Sequence, residues 1–548
     1  MSLQAYRTAA ATTAALNPSG AAVSTSCVAT ATPQLLLLSR TPRQDNDHSR
    51  HVSMRARPGV SSLPIPRSAH LLAARQARFF SNTAGSSGRG AYAIAARRPM
   101  AMSVPSSSVA SSLSETRRPT ALRNSTASTG PAWDGTYEAV VVGGGPAGIT
   151  VVGNLLEQRI EPIFWVDERF NGGRVNRCYR EVPSNTKVGL FVDFATAVAP
   201  FRKIVSSTPS RSRWEEPSES DGVVVGGKPD KLRALRELDQ GKGCRLGYAA
   251  DMCLMLTEGL RKTPGIHSQQ AKVKQAVLDD DSSRWTVKLG NSTQSGKQLP
   301  DIQAKRLVLC TGSSPNNNSL PVDVPSLHTL DLDCALSPTL LTTTLSPLGP
   351  TTIAVIGASH SAILVLMNLY NLASSTKPDL HIRWFTRHPL RYAEYMDGWI
   401  LHDNTGLKGE AATWAKQNLE PETFDSSDVS KYITKVAYDK GDEKQTFEEH
   451  LQGCDFSVQA IGYSRDPIPE LKTKAGESIT PVFDHETGKF SYSIEGNVSS
   501  QAEGKLPTLF GAGIAWPERV KDPHGNVEYA VGFFKFMKFV KKVVPGWQ

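Results

Sequence analysis

The stretch VVVGGGPAGITV, residues 140–151, decides the fold, because a run of valines leads directly into a cluster of glycines. A short β-branched run of this kind suits a buried parallel strand. The glycines fit the spacing G-x-G-x-x-G, and the turn comprises Gly143, Gly145, Pro146, Ala147 and Gly148. Such glycines permit a tight turn, a close backbone approach to a pyrophosphate and close packing of helix on strand. A helix predicted over 147–158 would direct its N-terminal N–H groups at the phosphates, so the stretch predicts a dinucleotide site.

An acidic pair ends the next predicted strand, EPIFWVDE. Asp167 and Glu168 follow the first glycine by about two dozen residues, where a carboxylate can accept hydrogen bonds from a ribose diol. A second glycine pair follows at once, and Gly173 and Arg174 lie where a loop would pass under a cofactor. This context favours dinucleotide binding over an unrelated glycine-rich loop.

A second glycine-containing turn repeats the plan at residues 351–373. Its strand, predicted over 353–356, runs into a turn comprising Gly357, Ser359, His360, Ser361 and Ala362. Serine in place of the second glycine still allows a fairly close backbone approach. His360 could contact the nucleotide or face solvent. A second dinucleotide site is therefore predicted here.

The strand after this second turn, DLHIRWFTRH, ends without an acid. Arg387 takes the place of the ribose-binding carboxylate, and Arg383, His388 and Arg391 are close in sequence. A cation there suits a 2′-phosphate, which predicts NADPH over NADH. An ordinary surface arginine is the alternative.

Two such turns in this order resemble the two-dinucleotide-binding-domain flavoproteins. RLVLCTGSSP (306–315), DFSVQAIGYSRDP (455–467) and LFGAGIAWPE (509–518) are similar to segments that close, rejoin and end the FAD domain in that family. The resemblance implies an α/β fold in which an FAD-binding Rossmann-like domain carries an inserted NAD(P)-binding Rossmann-like domain, with FAD and NADPH as cofactors. The implied domains are a leader (1–133), an FAD domain (134–346 and 456–548) and an NADPH domain (347–455). The further cofactor-binding residues it implies are Thr311, Gly312, Gly513 and Ile514. Many relatives have aspartate where Ile514 stands.

Motifs that the sequence lacks help to distinguish between the branches of this family. Val175 stands two positions after Gly173, where the disulfide reductases have a cysteine, and Cys178 has no partner before Pro183, so their dithiol is absent. GASHSA (357–362) resembles the NADPH turn of class B flavin monooxygenases, although the Baeyer–Villiger fingerprint is missing. The first expectation is a flavin monooxygenase that hydroxylates a small substrate. An NAD(P)H dehydrogenase that reduces a quinone or protein acceptor, and a non-enzymatic redox sensor or scaffold, stay open.

Candidate flavin-side residues lie in REVPSNTKVGLF, residues 180–191. Ser184, Asn185 and Thr186 could donate to the flavin edge, and Lys187 could place a catalytic cation near the ring. Capping of the following helix is the alternative. No metal site is predicted.

The positive net charge of +9 belongs to the leader. Residues 1–130 contain 15 arginines, no lysine and three acidic residues, so the charge gives no reason to expect nucleic-acid binding. This composition, with an arginine-bearing amphipathic stretch at 67–81, favours a mitochondrial transit peptide. A disordered tail on a cytoplasmic protein is the alternative. No apolar run is long enough for a transmembrane segment, and the sequence leaves the oligomeric state open.

Three smaller elements are also predicted. Residues 272–290 read as a β-hairpin, and residues 208–245 as a mobile insertion rich in serine, proline and charge. The segment 531–544 has an apolar stripe opposite several lysines, which indicates a helix that ends the fold packed on the core. A helix lying on an anionic membrane is the alternative.

Overall fold

The computed structural model describes residues 135–207, 231–279, 281–291, 296, 298–494 and 504–548. The predicted leader and residues 208–230 of the predicted insertion therefore lie outside the described residues. The strands, in chain order, are β1 (Thr136–Tyr137), β2 (Ala139–Val142), β3 (Ile163–Asp167), β4 (Ile266–Gln270), β5 (Val273–Asp279), β6 (Arg284–Leu289), β7 (Ile302–Ala304), β8 (Leu307–Leu309), β9 (Ser313–Pro315), β10 (His328–Thr329), β11 (Thr351–Ile356), β12 (Leu380–Thr386), β13 (Glu394–Tyr395), β14 (Ile400–Leu401), β15 (Ile433–Ala437), β16 (Phe456–Gln459), β17 (Tyr463–Arg465), β18 (Glu470–Thr473), β19 (Ile479–Phe483), β20 (Lys489–Ile494), β21 (Gly504–Gly511), β22 (Glu518–Lys521) and β23 (Val527–Ala530).

The helices, in chain order, are α1 (Pro146–Glu157), α2 (Arg174–Cys178), α3 (Val188–Thr196), α4 (Ala199–Ser207), α5 (Lys231–Arg236), α6 (Leu246–Arg261), α7 (Leu332–Ala335), α8 (Pro338–Leu345), α9 (His360–Ala373), α10 (Gly409–Asn418), α11 (Pro421–Phe424), α12 (Glu443–His450) and α13 (Phe533–Val543). Two short 3₁₀ turns cover Asp428–Lys431 and Val544–Trp547. Within the described parts of the chain, no helix has the length and apolar character needed to cross a bilayer.

The first sheet carries the first glycine turn. Its order is β19-β20-β21-β8-β2-β3-β4, and the five strands from β21 to β4 run parallel. Strand β2 is central and nearly fully buried, as its valine run predicts. The strand predicted over 137–142 begins two residues later than expected, at Ala139, because Glu138 separates β2 from β1, which pairs with β7 in another sheet. Helix α1 begins one residue before the predicted range and ends one residue before its end.

The second sheet carries the second glycine turn and is entirely parallel, in the order β10-β16-β11-β12-β15. Strand β11 is central, and α9 follows it with nine buried residues. This sheet extends outside the interval 347–455, because β10 and β16 both pair within it. The mixed α/β fold with two Rossmann-like sheets that the sequence predicts is thus confirmed.

A third sheet, in the order β1-β7-β6-β5-β18, contains the predicted hairpin. Strands β5 and β6 pair antiparallel from Val273 with Leu289 to Asp279 with Arg284, which confirms that prediction. The predicted mobile insertion is wrong for its second part. Residues 231–236 form α5, because Leu232 and Leu235 are fully buried against the core around α3 and α6.

The C-terminal helix α13 packs on α1 and α3, as expected of a helix that ends the fold in the core. Its buried residues are Phe536, Met537, Phe539, Val540 and Val543. Phe533 adds edge-on ring contacts with Phe191 and Phe194 at centroid distances of 5.3 and 5.5 Å. The apolar stripe therefore faces the protein interior, and the membrane-surface alternative does not hold for it.

Candidate nucleotide sites and the cleft between them

In the first turn, contacts with neighbouring protein atoms require glycine at two of the three positions of the G-x-G-x-x-G motif. Gly143 has a φ of +118°, and a Cβ there would overlap the carbonyl oxygen of Cys310 on the neighbouring strand segment. Gly148 likewise leaves no room for a Cβ, because the carbonyl of Gly143 lies against it. These two positions require glycine whether or not a ligand binds.

Gly145 differs from both of these glycines. Its φ of −83° and ψ of −173° are accessible to any residue. A Cβ at Gly145 would meet only the Cα of Gly173, at an ordinary contact distance of 3.7 Å. Because the protein's own packing does not require glycine here, the bare backbone fits a cradle that is kept open for a ligand. Pro146, at the first position of α1, and Gly173 border the same space.

The two candidate acids have different surroundings. The Asp167 carboxylate accepts hydrogen bonds from the backbone N–H groups of Gly144 (2.8 Å), Arg169 (2.8 Å) and Phe170 (2.6 Å). Glu168 is exposed. Since a carboxylate has about four acceptor positions, Asp167 keeps one for a ribose hydroxyl and faces the glycine turn. Asp167 is thus the better placed of the pair.

The remaining segments of the first site converge on this turn. The Thr311 hydroxyl oxygen is buried and lacks a hydrogen-bond partner among the described residues, which a cofactor could supply. Gly312 follows it and accepts a hydrogen bond from the N–H of Asp466 at 3.1 Å. A Cβ at Gly513 would overlap Ala147, so the late segment meets the start of α1. Ile514 next to it is exposed.

The second turn is built with the same device as the first. The Trp165 indole N–H donates to the carbonyl of Gly143, and the Trp384 indole N–H donates to the carbonyl of Gly357, both at 2.8 Å. Gly357 has a φ of +131°, and a Cβ there would overlap the carbonyl oxygen of Ala460. Ser359 caps α9 with an extended backbone. The two turns are thus structural equivalents.

A cleft of about 690 Å³ opens at this second turn. It is bordered by the turn itself and by Arg387, His388 and Arg391. Arg387 is about 41% exposed, and its guanidinium lies 4.0 Å from the Glu443 carboxylate on the opposite wall. Arg383 does not add to the positive charge at the cleft, because its guanidinium donates to the carbonyls of His450 and Gln452 at 2.6 and 2.7 Å.

His360 and Ser361 begin α9 and lie beside the cleft. The Nδ1 atom of His360 is buried without a partner among the described residues, so the solvent-facing alternative does not hold for this atom. Burial, with the nearby positive charge of Lys408, lowers the pKa of His360 to about 4, and the ring is neutral at pH 7. A neutral, unpartnered nitrogen can hydrogen-bond a nucleotide. The Ser361 hydroxyl lies near the Tyr463 phenol.

The side chain of Arg174 is held by protein groups. Its guanidinium forms an ion pair with Asp333 and donates to the Ser314 hydroxyl at 2.6 Å. Its backbone follows Gly173, which lies against Gly145. That the backbone of Arg174 contacts a cofactor remains a prediction.

The predicted flavin-side segment has three different side-chain environments. The Ser184 hydroxyl donates to the carbonyl of Thr186 at 2.6 Å and accepts from the N–H of Cys244 at 3.0 Å, which ties two loops together. It therefore does not cap α3, whose N-cap is Lys187. Asn185 is exposed. The Lys187 ammonium lies 5.2 Å from the centre of the Tyr395 ring.

A charged cluster on the loop after β12 was not predicted from the sequence. The Asp403 carboxylate pairs with Lys408 and, at 2.7 Å, with Lys535 on α13. Glu528 accepts from the N–H of Asn404 at 2.9 Å. These pairs join the loop to the C-terminal elements. The same loop also approaches the flavin-side segment, because a Cβ added at Gly409 would lie 3.4 Å from the carbonyl oxygen of Ser184.

Two tryptophans were not predicted as site residues, although the sequence contains a pattern that marks them. Trp165 and Trp384 occupy the same place, third from the end of the second strand in each glycine-turn unit. A comparison of the two strands with each other would have marked them. Gln459 departs from the family pattern, and its amide holds Asn317 and Asn318 at the cleft edge with bonds of 3.0 and 2.7 Å.

Comparison with known proteins places these features in a family, although no family model matches the chain. The chain is 48% identical over 412 residues to Monooxygenase AgnR1 from Paecilomyces divaricatus, and the alignment covers 75% of this chain and 97% of that protein. Among solved structures it is similar to FAD-bound DfoA, the cadaverine monooxygenase of desferrioxamine biosynthesis from Erwinia amylovora, with 15% identity, coverage of 73% of this chain and 80% of that chain, and a TM-score of 0.34. It is also similar to cyclohexanone monooxygenase in an open form, with 14% identity, coverage of 75% and 86%, and a TM-score of 0.42. From its identity to AgnR1 over nearly the whole of that protein, the chain belongs to the same family of monooxygenases.

Proposed function

We propose that this chain is an FAD-dependent, NADPH-using monooxygenase that hydroxylates a small molecule. The observation that carries the proposal is Gly145, a glycine that the fold itself does not require, at the mouth of a strand–turn–helix unit. Two equivalent turns, one with an acid and one with cations at the strand end, support two different nucleotides. The relationship to AgnR1 favours oxygen insertion over the dehydrogenase and redox-sensor alternatives.

The first site would hold FAD between five chain segments. The N–H groups at the start of α1 would face the pyrophosphate, and the open side of Gly145 would let it approach. Asp167 would accept a ribose hydroxyl, and the unpartnered Thr311 hydroxyl would bond to the cofactor. Gly513, which lies against Ala147 at the start of α1, and Ile514 would offer backbone groups to the cofactor. These assignments, with Gly312 and Gly173, rest on the convergence of the segments.

The second site would hold NADPH in the cleft at Gly357. Ser359 borders the cleft and would face the pyrophosphate, the buried His360 follows it at the start of α9, and Arg387 with Arg391 would bind the 2′-phosphate. Both arginines keep part of their surface free to do so. The cleft volume of about 690 Å³ lies within the usual range for a small-molecule site.

The two cofactors, when bound, would supply hydride transfer and the activation of O₂, so that one oxygen atom enters the substrate and the other leaves as water. The chain's part is to position and shield. The Lys187 ammonium lies 5.2 Å from the centre of the Tyr395 ring, on the loop after β12, and Asn185 precedes it by two residues in the same segment. We propose that Lys187 supplies positive charge there and that the loop excludes water from the substrate.

The proposal is tested by measuring how much product forms for each NADPH consumed. Purified protein should be yellow, and NADPH should bleach it without oxygen. With ¹⁸O₂ and a panel of amines and ketones, one substrate class should give about one labelled hydroxylated product per NADPH consumed. Gly145→Val serves as the matched flavin-free control. Release of one hydrogen peroxide per NADPH with every compound, together with rapid anaerobic reduction of quinones, would instead identify a dehydrogenase.

Two further proposals concern the rest of the chain. We propose an FAD domain in two parts around an NADPH domain that includes the second sheet, and a leader up to about residue 133. The arginine-rich, acid-poor composition of that leader supports mitochondrial import. A fluorescent protein fused after residues 1–133 should colocalise with mitochondria, and a diffuse cytoplasmic signal would contradict the proposal.

A further inference from the structure

The two nucleotide sites are joined by a narrow ribbon. Strand β9 leaves the first sheet region, and β17 returns from the second, and the two pair antiparallel. We call this pair the hinge ribbon, Ser313–Pro315 with Tyr463–Arg465. Because both strands lie where the chain crosses between the two sheets, the ribbon influences how the two sites face each other.

A network of polar side chains bonds to this ribbon on the side of the first site. Asp333, on α7, forms an ion pair with Arg174 and accepts a 2.8 Å hydrogen bond from the Tyr179 phenol. Arg174 also donates to Ser314 in the hinge ribbon at 2.6 Å, and Ser314 donates to Asp466. We call these residues, with Tyr463, the Asp333 network.

The same network reaches the second site. The Tyr179 phenol lies 3.2 Å from the Tyr463 phenol. Tyr463 directly follows Gly462, which borders the nucleotide cleft. Hydrogen bonds and an ion pair therefore connect Tyr463, at the edge of the second cleft, to Arg174, next to Gly173 of the first site.

The chemistry of these groups makes Asp333 the central acceptor of the network. Tyr179 has a single hydrogen to donate, and an ionised carboxylate is a stronger acceptor than a phenol. Burial, with Tyr463 and Asp333 nearby, raises the pKa of Tyr179 far above its ordinary value, so the phenol stays protonated. The Arg174 and Asp333 side chains are only 22% and 18% exposed, so water screens their attraction weakly.

We propose that Asp333 is a positioning residue that clamps the hinge ribbon and couples nucleotide binding in the second cleft to the glycine loop of the first site. This inference rests on the proposed function, because it takes the first glycine turn as the FAD site and the cleft at the second turn as the NADPH site. Loss of the clamp should weaken NADP⁺ binding and free the first-site loop without removing FAD. The expected weakening is about tenfold, within the usual range of coupling between two sites.

The test uses the full-length, FAD-loaded protein and hydrogen exchange with and without NADP⁺. In the wild type, NADP⁺ should slow exchange both at 357–362 and at 172–179. In Asp333→Asn, which keeps side-chain volume and loses charge, protection should remain at 357–362 and vanish at 172–179. The NADP⁺ dissociation constant, from the flavin difference spectrum, should rise about tenfold.

Two other variants make the outcome decisive. Tyr463→Phe removes the hydrogen bond between Tyr463 and Tyr179 without touching the ion pair, so it should reduce protection at 172–179 even if Asp333→Asn folds poorly. Asp428→Asn removes an exposed ion pair with Lys431 and should behave as wild type.

The failures of the two proposals are distinguishable. The coupling is overturned if NADP⁺ protects 357–362 but not 172–179 in the wild type, or if both variants keep wild-type protection and affinity. A wild-type protein that binds FAD but not NADP⁺ overturns the second-site assignment and the coupling with it.

Discussion

Gly145 allows the nucleotide assignment to be tested separately from the stability of the fold. Its backbone angles suit any residue, and a Cβ there would have a nearest contact of 3.7 Å. Gly145→Ala should therefore leave the FAD-free protein as stable as the wild type, or about 0.4–1 kcal/mol more stable, because alanine restricts the unfolded chain. If the pyrophosphate approaches this backbone, the added methyl group costs one or two charge-assisted hydrogen bonds. At about 1.5–3 kcal/mol each, this weakens FAD binding at least about tenfold.

Gly143→Ala is the matched control, with the opposite expectation. Its positive φ and its contact with the Cys310 carbonyl should destabilise even the FAD-free protein, by about 3 kcal/mol or more. The assays are thermal melting of FAD-stripped protein and FAD titration followed by flavin fluorescence. The larger Gly145→Val should give colourless but folded protein. Unchanged FAD affinity in Gly145→Ala, or melting as low as that of Gly143→Ala, would refute the reasoning.

Four further predictions concern the second site and the tryptophans that donate to the first glycine of each turn. Arg387→Ala should raise KM for NADPH by about tenfold or more and change KM for NADH little, since only NADPH carries a 2′-phosphate for the guanidinium; equal effects in steady-state kinetics would contradict this. Glu443→Gln should lower KM for NADPH by about two- to fivefold, because it frees Arg387 from a partly exposed ion pair and removes a negative charge from the cleft. The lowered pKa of His360 means that the unfolded chain binds a proton between pH 6.5 and about 4 that the folded protein does not, so stability should fall as the pH falls through this window. His360→Gln should flatten that part of a melting-temperature curve against pH, and an unchanged curve would count against it. Trp165→Phe and Trp384→Phe should each lower stability by about 1–3 kcal/mol, measured by denaturant unfolding, because a glycine carbonyl loses its donor.

The strands and helices around the two glycine turns could be predicted because their signals are local. A valine run followed by spaced glycines predicted β2 to within two residues and α1 to within one. The hairpin of β5 and β6 was equally readable from alternation and a polar turn. Helix α5 was missed, because its two buried leucines lie in a segment whose charge, serine and proline content indicates a mobile loop.

The long-range contacts could not be predicted in this way. Arg174 and Asp333 are 159 positions apart, and nothing in either local sequence marks the other as its partner. The same holds for Asp403 and Lys535, which join the loop after β12 to the last helix. Such pairs depend on how complete sheets are placed, which periodicity and motif spacing do not encode.

The difference between the two strand ends supports the assignment of the two nucleotides. At the first site three backbone N–H groups fix the Asp167 carboxylate beside the turn, so negative charge is held where a ribose would lie. A 2′-phosphate would be repelled there, whereas the free hydroxyl of an FAD ribose could donate to the remaining acceptor position. At the second site the Thr386 hydroxyl bonds the His388 carbonyl at 2.9 Å, and Arg387 provides positive charge at the cleft. Because the two turns are otherwise built alike, down to the tryptophan that braces each first glycine, the charge at the strand end is what distinguishes a site for FAD from a site for NADPH.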